Sequence, residues 1–185
     1  MEETKEGYAI SPSKYPVHQT IFIQDDLILK IYSCSTVTFT DQYPIGIYPD
    51  GKVMVQQGAI KTCVAACAAM LIEDHHKKCN VKSLRRSGAG NDRMLIHWLH
   101  NAGFQASCTQ IASRVSDFAD CLFLYGSLAC CIIDKEIGGH EIILDHIDFD
   151  CAVIRDPFHG WRIRIPTDKF LALTGSNPKV IFITG

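Results

Sequence analysis

Apolar positions along the chain change period twice. Between residues 63 and 125 they recur at helical spacing. Before residue 40 and after residue 127 they form short runs rich in Ile and Val. Cys63, Ala66, Cys67, Met70 and Leu71 fall on one face of a predicted helix, with Thr62 placed as its N-cap. Asn91 is placed to cap a second helix. Its apolar face is Met94, Leu95, Trp98, Leu99 and Ala102, and Gly103 ends it. A third helix is expected over Ser116 to Tyr125, stopping at Gly126. The last third reads as strands: "LACCIID", "HEIILDHI", "CAVIRD", "WRIRI" and "KVIFIT", separated by Gly, Pro and Asp. "RIPTDKFLALTG" between the last two reads as a short helix or turn.

Upstream, residues 1–16 read as a flexible lead and 17–40 as β-rich. "QTIFIQ" and "LILKIYS" flank Asp25-Asp26 as a hairpin, and "STVTFT" is a third strand. Residues 41–52, with two prolines and an Asp-Gly pair, read as a loop or boundary. Helices followed by strands, adjacent strands antiparallel, define an α+β class. The expected division is a β-rich extension over 1–50, packed on a main domain over 51–185.

Composition narrows the function. The 185 residues fit one such domain, long enough to bury a core without covalent staples. A net charge of −2 with no basic stripe gives no reason to expect a nucleic-acid partner. "HHKK" and "SLRR" read as solvated helix ends. The nine cysteines are odd in number, and several lie in apolar runs. That suits reduced, buried thiols in a reducing compartment. The polar lead has no signal-peptide core, and no apolar run approaches a membrane span. A cytoplasmic protein without a membrane partner is the expectation. "DHHKKC" supplies His75 and Cys79 but not the further ligands a metal needs, and "SGAGN" makes no phosphate loop. No cofactor is expected.

The chemistry concentrates in "QQGAIKTCVAACAAML", Gln56 to Leu71. A thiol where a loop becomes a helix meets unpaired N–H groups and the positive end of the dipole, which favour thiolate. Cys63 holds that place. It needs a base, and the base needs an orienting partner. His140 follows Gly138-Gly139 and opens a strand. Asp156 closes the next strand, in "RDPFHG". If the two strands pair as a hairpin, the start of one lies beside the end of the other, and His140 meets Asp156. The side-chain amide of Gln57, with the Cys63 backbone N–H, could bind an oxyanion; Gln56 is its rival. His146 reads as lying on the same strand face as His140 but farther along, as surface or core. His159 is a minority candidate for the cleft wall. Trp161 is either a shield for the His–Asp bond or a plain strand aromatic. Cys67 reads as core.

Gln-x5-Cys with "CVAACAAML", then Gly-Gly-His opening a strand, then Asp-Pro, resembles the peptidases that cut double-glycine leaders from bacteriocins, and the wider papain-like superfamily. Gln57, Cys63, Cys67, Ala69, Met70, His140, Asp156, Pro157 and Gly160 match that pattern over roughly residues 53–185. The resemblance implies a papain-like fold with Cys63 as nucleophile, His140 as base, Asp156 as orienter and Gln57 as oxyanion donor. Two positions depart from it: Thr62 and Val64 flank the Cys where the family has Asp or Asn and Gly. The implied activity is cysteine-peptidase hydrolysis of a peptide or protein. Deamidation or transamidation of Gln side chains, and peptide binding without cleavage, are the alternatives. By the same analogy, compact papain-like domains serve as bacterial effectors or toxins. They are delivered by specialised secretion systems and met by a cognate inhibitor or immunity protein.

Overall fold

The computed structural model of the chain describes residues 23, 25–40, 43–58, 61–86, 90–134 and 138–185. Its centre is a seven-stranded antiparallel sheet, in the order β1-β9-β8-β7-β6-β10-β5. The strands are β1 (Lys30–Tyr32), β5 (Ala106–Gln110), β6 (Leu128–Asp134), β7 (Gly138–Ile147), β8 (Cys151–Asp156), β9 (Trp161–Pro166) and β10 (Lys179–Ile183). A smaller antiparallel sheet holds β2 (Thr36–Thr40), β3 (Tyr43–Ile47) and β4 (Val53–Val55). The helices are α1 (Cys63–Asp74), α2 (Val81–Arg86), α3 (Asp92–Asn101), α4 (Val115–Tyr125) and α5 (Thr167–Thr174).

Side-chain alternation gives the large sheet two buried faces. Ala129, Ile143, Ile181 and Ile183 face a core built on α1 and α3. Their neighbours Leu128, Cys130, Ile142, Leu144, Val180 and Phe182 face a second core with Phe118 of α4 and Phe170 of α5. Those two rings meet edge to face, centroids 5.2 Å apart. Cover on both faces explains why "LACCIID" and "HEIILDHI" read as nearly continuous apolar runs rather than alternating ones.

α1 is buried for its first ten residues, Cys63 to Ile72, not on one face alone. Its small side chains admit α2, α3, β4 and β7 against it, and a helix apolar all round is a core helix. Close approach is visible at Gly90, where an added Cβ would lie 2.7 Å from two atoms of Val64. The valine after the Cys therefore has its room because residue 90 lacks a side chain. Asn91 caps α3 by accepting from the Met94 N–H at 3.1 Å. Gly103 and Gly126 follow α3 and α4 with φ of +82° and +77°, the sense of twist a side chain resists. Thr62 precedes α1 but makes no side-chain capping bond.

A buried cation ties the layers together. The Arg155 guanidinium is fully enclosed and donates to Asp74 at the end of α1, at 2.9 and 2.7 Å, and to Asp145 of β7 at 2.9 Å. Asp145 sits in a bulge, where pairing shifts between Leu144 and His146. One extra residue there turns His146 away from the face that carries His140. The ring is exposed instead and pairs with Asp148 at 3.1 Å.

Three local expectations change. The stretch 41–52 is not all loop, because β3 runs through it. β5 was not anticipated: its "ASCTQ" is polar and exposed beyond Ala106, so it lacks an apolar signal. β1 pairs with β9, a long-range pairing that the expected hairpin about Asp25-Asp26 did not include. Asp25–Leu27 form a 3-10 turn, and the proposed first arm, residues 19–24, lies almost wholly outside the described residues, as do residues 1–16.

Candidate active site

The site forms where the loop before α1, the start of β7 and the turn after β8 meet. Ile143 pairs with Arg155. His140 and Asp156 therefore share the opposite face of the hairpin, on diagonal positions. His140 Nε2 lies 2.7 Å from Asp156 Oδ1, with both side chains buried. That leaves Nδ1 for the thiol, and the Cys63 and His140 side chains are hydrogen-bonded. The backbone N–H groups of Glu141 and Val64 also donate to the Cys63 sulfur.

Charge follows from these contacts. Burial opposes ionisation of Cys63, but the hydrogen bond and charge of His140 and the two backbone donors outweigh it, so the thiol is held below its ordinary range. Burial pulls His140 down, while the charge and hydrogen bond of Asp156, then Cys63, raise it to about 9. Burial likewise works against an ionised Asp156, yet His140 and then His159 hold its carboxyl well below the carboxylate range. The other eight cysteines are all pushed up, with burial the first cause in each.

Gln57 is buried in the loop after β4, and its N–H donates to the Pro157 carbonyl at 2.8 Å. Gln56 faces elsewhere: its side chain packs beneath Gly160, where an added Cβ would come within 3.1 Å. Gly160 has φ +71°, so the Asp-Pro turn needs glycine for conformation and for clearance. The four residues singled out in the sequence, Gln57, Cys63, His140 and Asp156, thus lie on three connected segments. Cys67 is fully buried core.

Two neighbours carry more than the sequence reading gave them. His159 Nδ1 bonds Asp156 Oδ2, and its ring stacks on Trp161 at 5.0 Å. The Phe158 N–H donates to Asp156 Oδ1 at 2.8 Å. Asp156 thus gathers two imidazoles and one amide. The signal was the spacing Asp-x-x-His within a turn. Glu141 is the second neighbour: it is 5% exposed and follows His140 directly. A carboxylate inside an apolar strand run was its signal.

Comparison places this geometry on a known fold. The peptidase domain of Streptococcus ComA, a bi-functional ABC transporter involved in quorum sensing, superposes with a TM-score of 0.59 at 15% identity, covering 70% of this chain and 96% of that one. A double glycine motif protease from an AMS/PCAT transporter, solved with its leader peptide, superposes at 0.52 with 18% identity, covering 84% and 99%. The fold is therefore the papain-like α+β fold of these peptidase domains. No family model matches the sequence. No curated protein matches it in sequence either. Among the described residues no helix is long and apolar enough to cross a membrane.

Proposed function

We propose that the chain is a cysteine peptidase that hydrolyses a peptide bond in a peptide or protein substrate. One observation carries the reading: of nine cysteines, Cys63 alone is held below the thiol range, and the group that holds it is an imidazole braced by Asp156. Perturbation by a specific partner, at a helix start, is how a reactive thiol differs from a core thiol.

The steps follow from the positions. Cys63 Sγ attacks the scissile carbonyl carbon; a C–S bond forms and the oxygen becomes an oxyanion. The Gln57 side-chain amide and the Cys63 backbone N–H stabilise that charge. The C–N bond then breaks as the amine takes a proton from His140 Nδ1, leaving a thioester. Water attacks the thioester and gives its proton to Nδ1. The acid departs and the thiolate–imidazolium pair returns. Nε2 keeps its bond to Asp156 throughout, which fixes the ring and its tautomer.

Incubation of wild type and C63A with denatured protein mixtures, read by mass spectrometry of new termini, tests this. New termini with wild type alone support it. A mass gain of about one dalton on glutamine without new termini would assign the same residues to deamidation instead. No Cys63-dependent product of either kind would leave peptide binding as the function. The biological setting we propose, action on another cell's proteins as an effector or toxin opposed by an immunity protein, rests on the family resemblance. Expressing wild type and C63A in candidate target cells tests it.

A further inference from the structure

Glu141 has a main chain at the reacting centre and a side chain in a cavity. Its backbone N–H bonds the Cys63 sulfur. Its residue lines a cavity of about 270 Å³ together with Ile133, Ile181, Pro178, Asp92 and Lys179. The cavity is therefore within one residue's reach of the scissile bond. A larger cavity, about 490 Å³, lies against Ile72 at the far end of α1 and has no such link to Cys63.

The charges on the walls do not balance. Asp92 and Lys179 pair at 3.2 Å and neutralise each other. Glu141, 5% exposed, is the third charged side chain of the lining and stands outside that pair. Burial, Cys63 and Asp92 push its carboxyl up to about 8, against a smaller pull from His140, so the side chain holds its proton at neutral pH. Ile133, Ile181 and Pro178 offer an apolar lining beside Glu141. Such a lining suits a methylene stem that ends in a cation.

We propose that this cavity is a substrate subsite in which Glu141 selects a lysine or arginine side chain near the scissile bond. The proposal rests on the peptidase reading above. The entering cation takes the place of the stored proton, and the resulting charge-assisted pair forms away from water. Its acid partner is the residue directly after the base, so occupancy also fixes the substrate backbone beside Cys63.

Peptidyl acyloxymethyl ketones test it without a known substrate. The probes differ only in lysine, norleucine or glutamate, placed in turn at each of the three residues before the electrophile, and Cys63 labelling is read by mass. In wild type the lysine probe should label about tenfold faster than norleucine at one position. In E141Q, matched in shape and checked for an intact thermal transition, the two should agree within about twofold. Equal rates in wild type at every position, or a preference that survives E141Q, would overturn the subsite while leaving the peptidase. Failure of every probe to label Cys63 faster than the other eight cysteines would overturn the peptidase reading, and the subsite with it.

Discussion

The Gln57 N–H donates to the Pro157 carbonyl at 2.8 Å, so the loop before Cys63 is tied to the turn after Asp156. One main-chain bond joins the helix side of the site to the sheet side. Gln56 reinforces the joint under Gly160. In the proposed mechanism Gln57 serves the carbonyl oxygen. Its truncation should act on the transition state and not on the thiolate. Q57A is expected to lose about 10²–10³ in kcat with little change in KM, while its Cys63 alkylation rate matches wild type. A parallel fall in both would assign Gln57 to holding the loop instead.

Asp156 serves two imidazoles, His140 and His159. D156N removes the anion that raises His140. The basic limb of the kcat/KM profile, expected near 9 in wild type from His140, should move to lower pH. His140 is raised from 6.5 to about 9, so its contribution to stability is complete below 6.5 and lost as pH rises through about 9. Asp156 is lowered from 3.8, so its contribution is present above that value and lost as pH falls below it. Wild type should therefore be most stable between these limits. D156N should flatten both edges in thermal scans across pH.

Much of this site was legible because it is local or nearly so. The Cys63 helix, the Asn91 cap and the strand order His140-to-Asp156 follow from period and punctuation, and a hairpin brings its two ends together without long-range information. What escaped depends on distant partners or on geometry without a signature. β5 is polar because it lies at one end of the seven-stranded order, and it is recognised by its pairing with β10. β1 pairs with β9, about 130 residues away in the chain, and no local turn announces it. The bulge at Asp145 shifts His146 to the other face, a change that alternation alone cannot foresee. Arg155 looks like a strand-end charge until Asp74 and Asp145 are placed around it.

That arginine gives a stability prediction separate from chemistry. R155M replaces it with an apolar side chain and takes from two buried carboxylates their shared enclosed cation, leaving Asp74 with Lys52 at 3.5 Å and Asp145 with Arg162 at 2.9 Å. Because these remaining partners compensate in part, the variant should lose about 2–3 kcal/mol, read as a lower urea midpoint with an unchanged slope. A loss under about 1 kcal/mol would mean that Lys52 and Arg162 suffice to hold the two carboxylates.

Glu141 makes the opposite prediction. Its carboxyl rises from 4.5 to about 8 on folding, so the folded state binds the extra proton between these values and stability falls as pH rises through them. E141Q removes that slope. Its Tm should exceed wild type by about 4 °C at pH 8 and by less at pH 5. A Tm difference that does not change with pH would show that the carboxyl is solvated.

The most direct measurement is the alkylation rate of each cysteine at pH 6, by peptide mapping, in wild type and H140A. Cys63 should react far faster than the other eight, because its thiol alone is held below the ordinary range while theirs are pushed above it. It should fall to their level in H140A with the fold intact. A Cys63 as slow as Cys67 or Cys130 in folded wild type would contradict the thiolate–imidazolium pair on which the account stands.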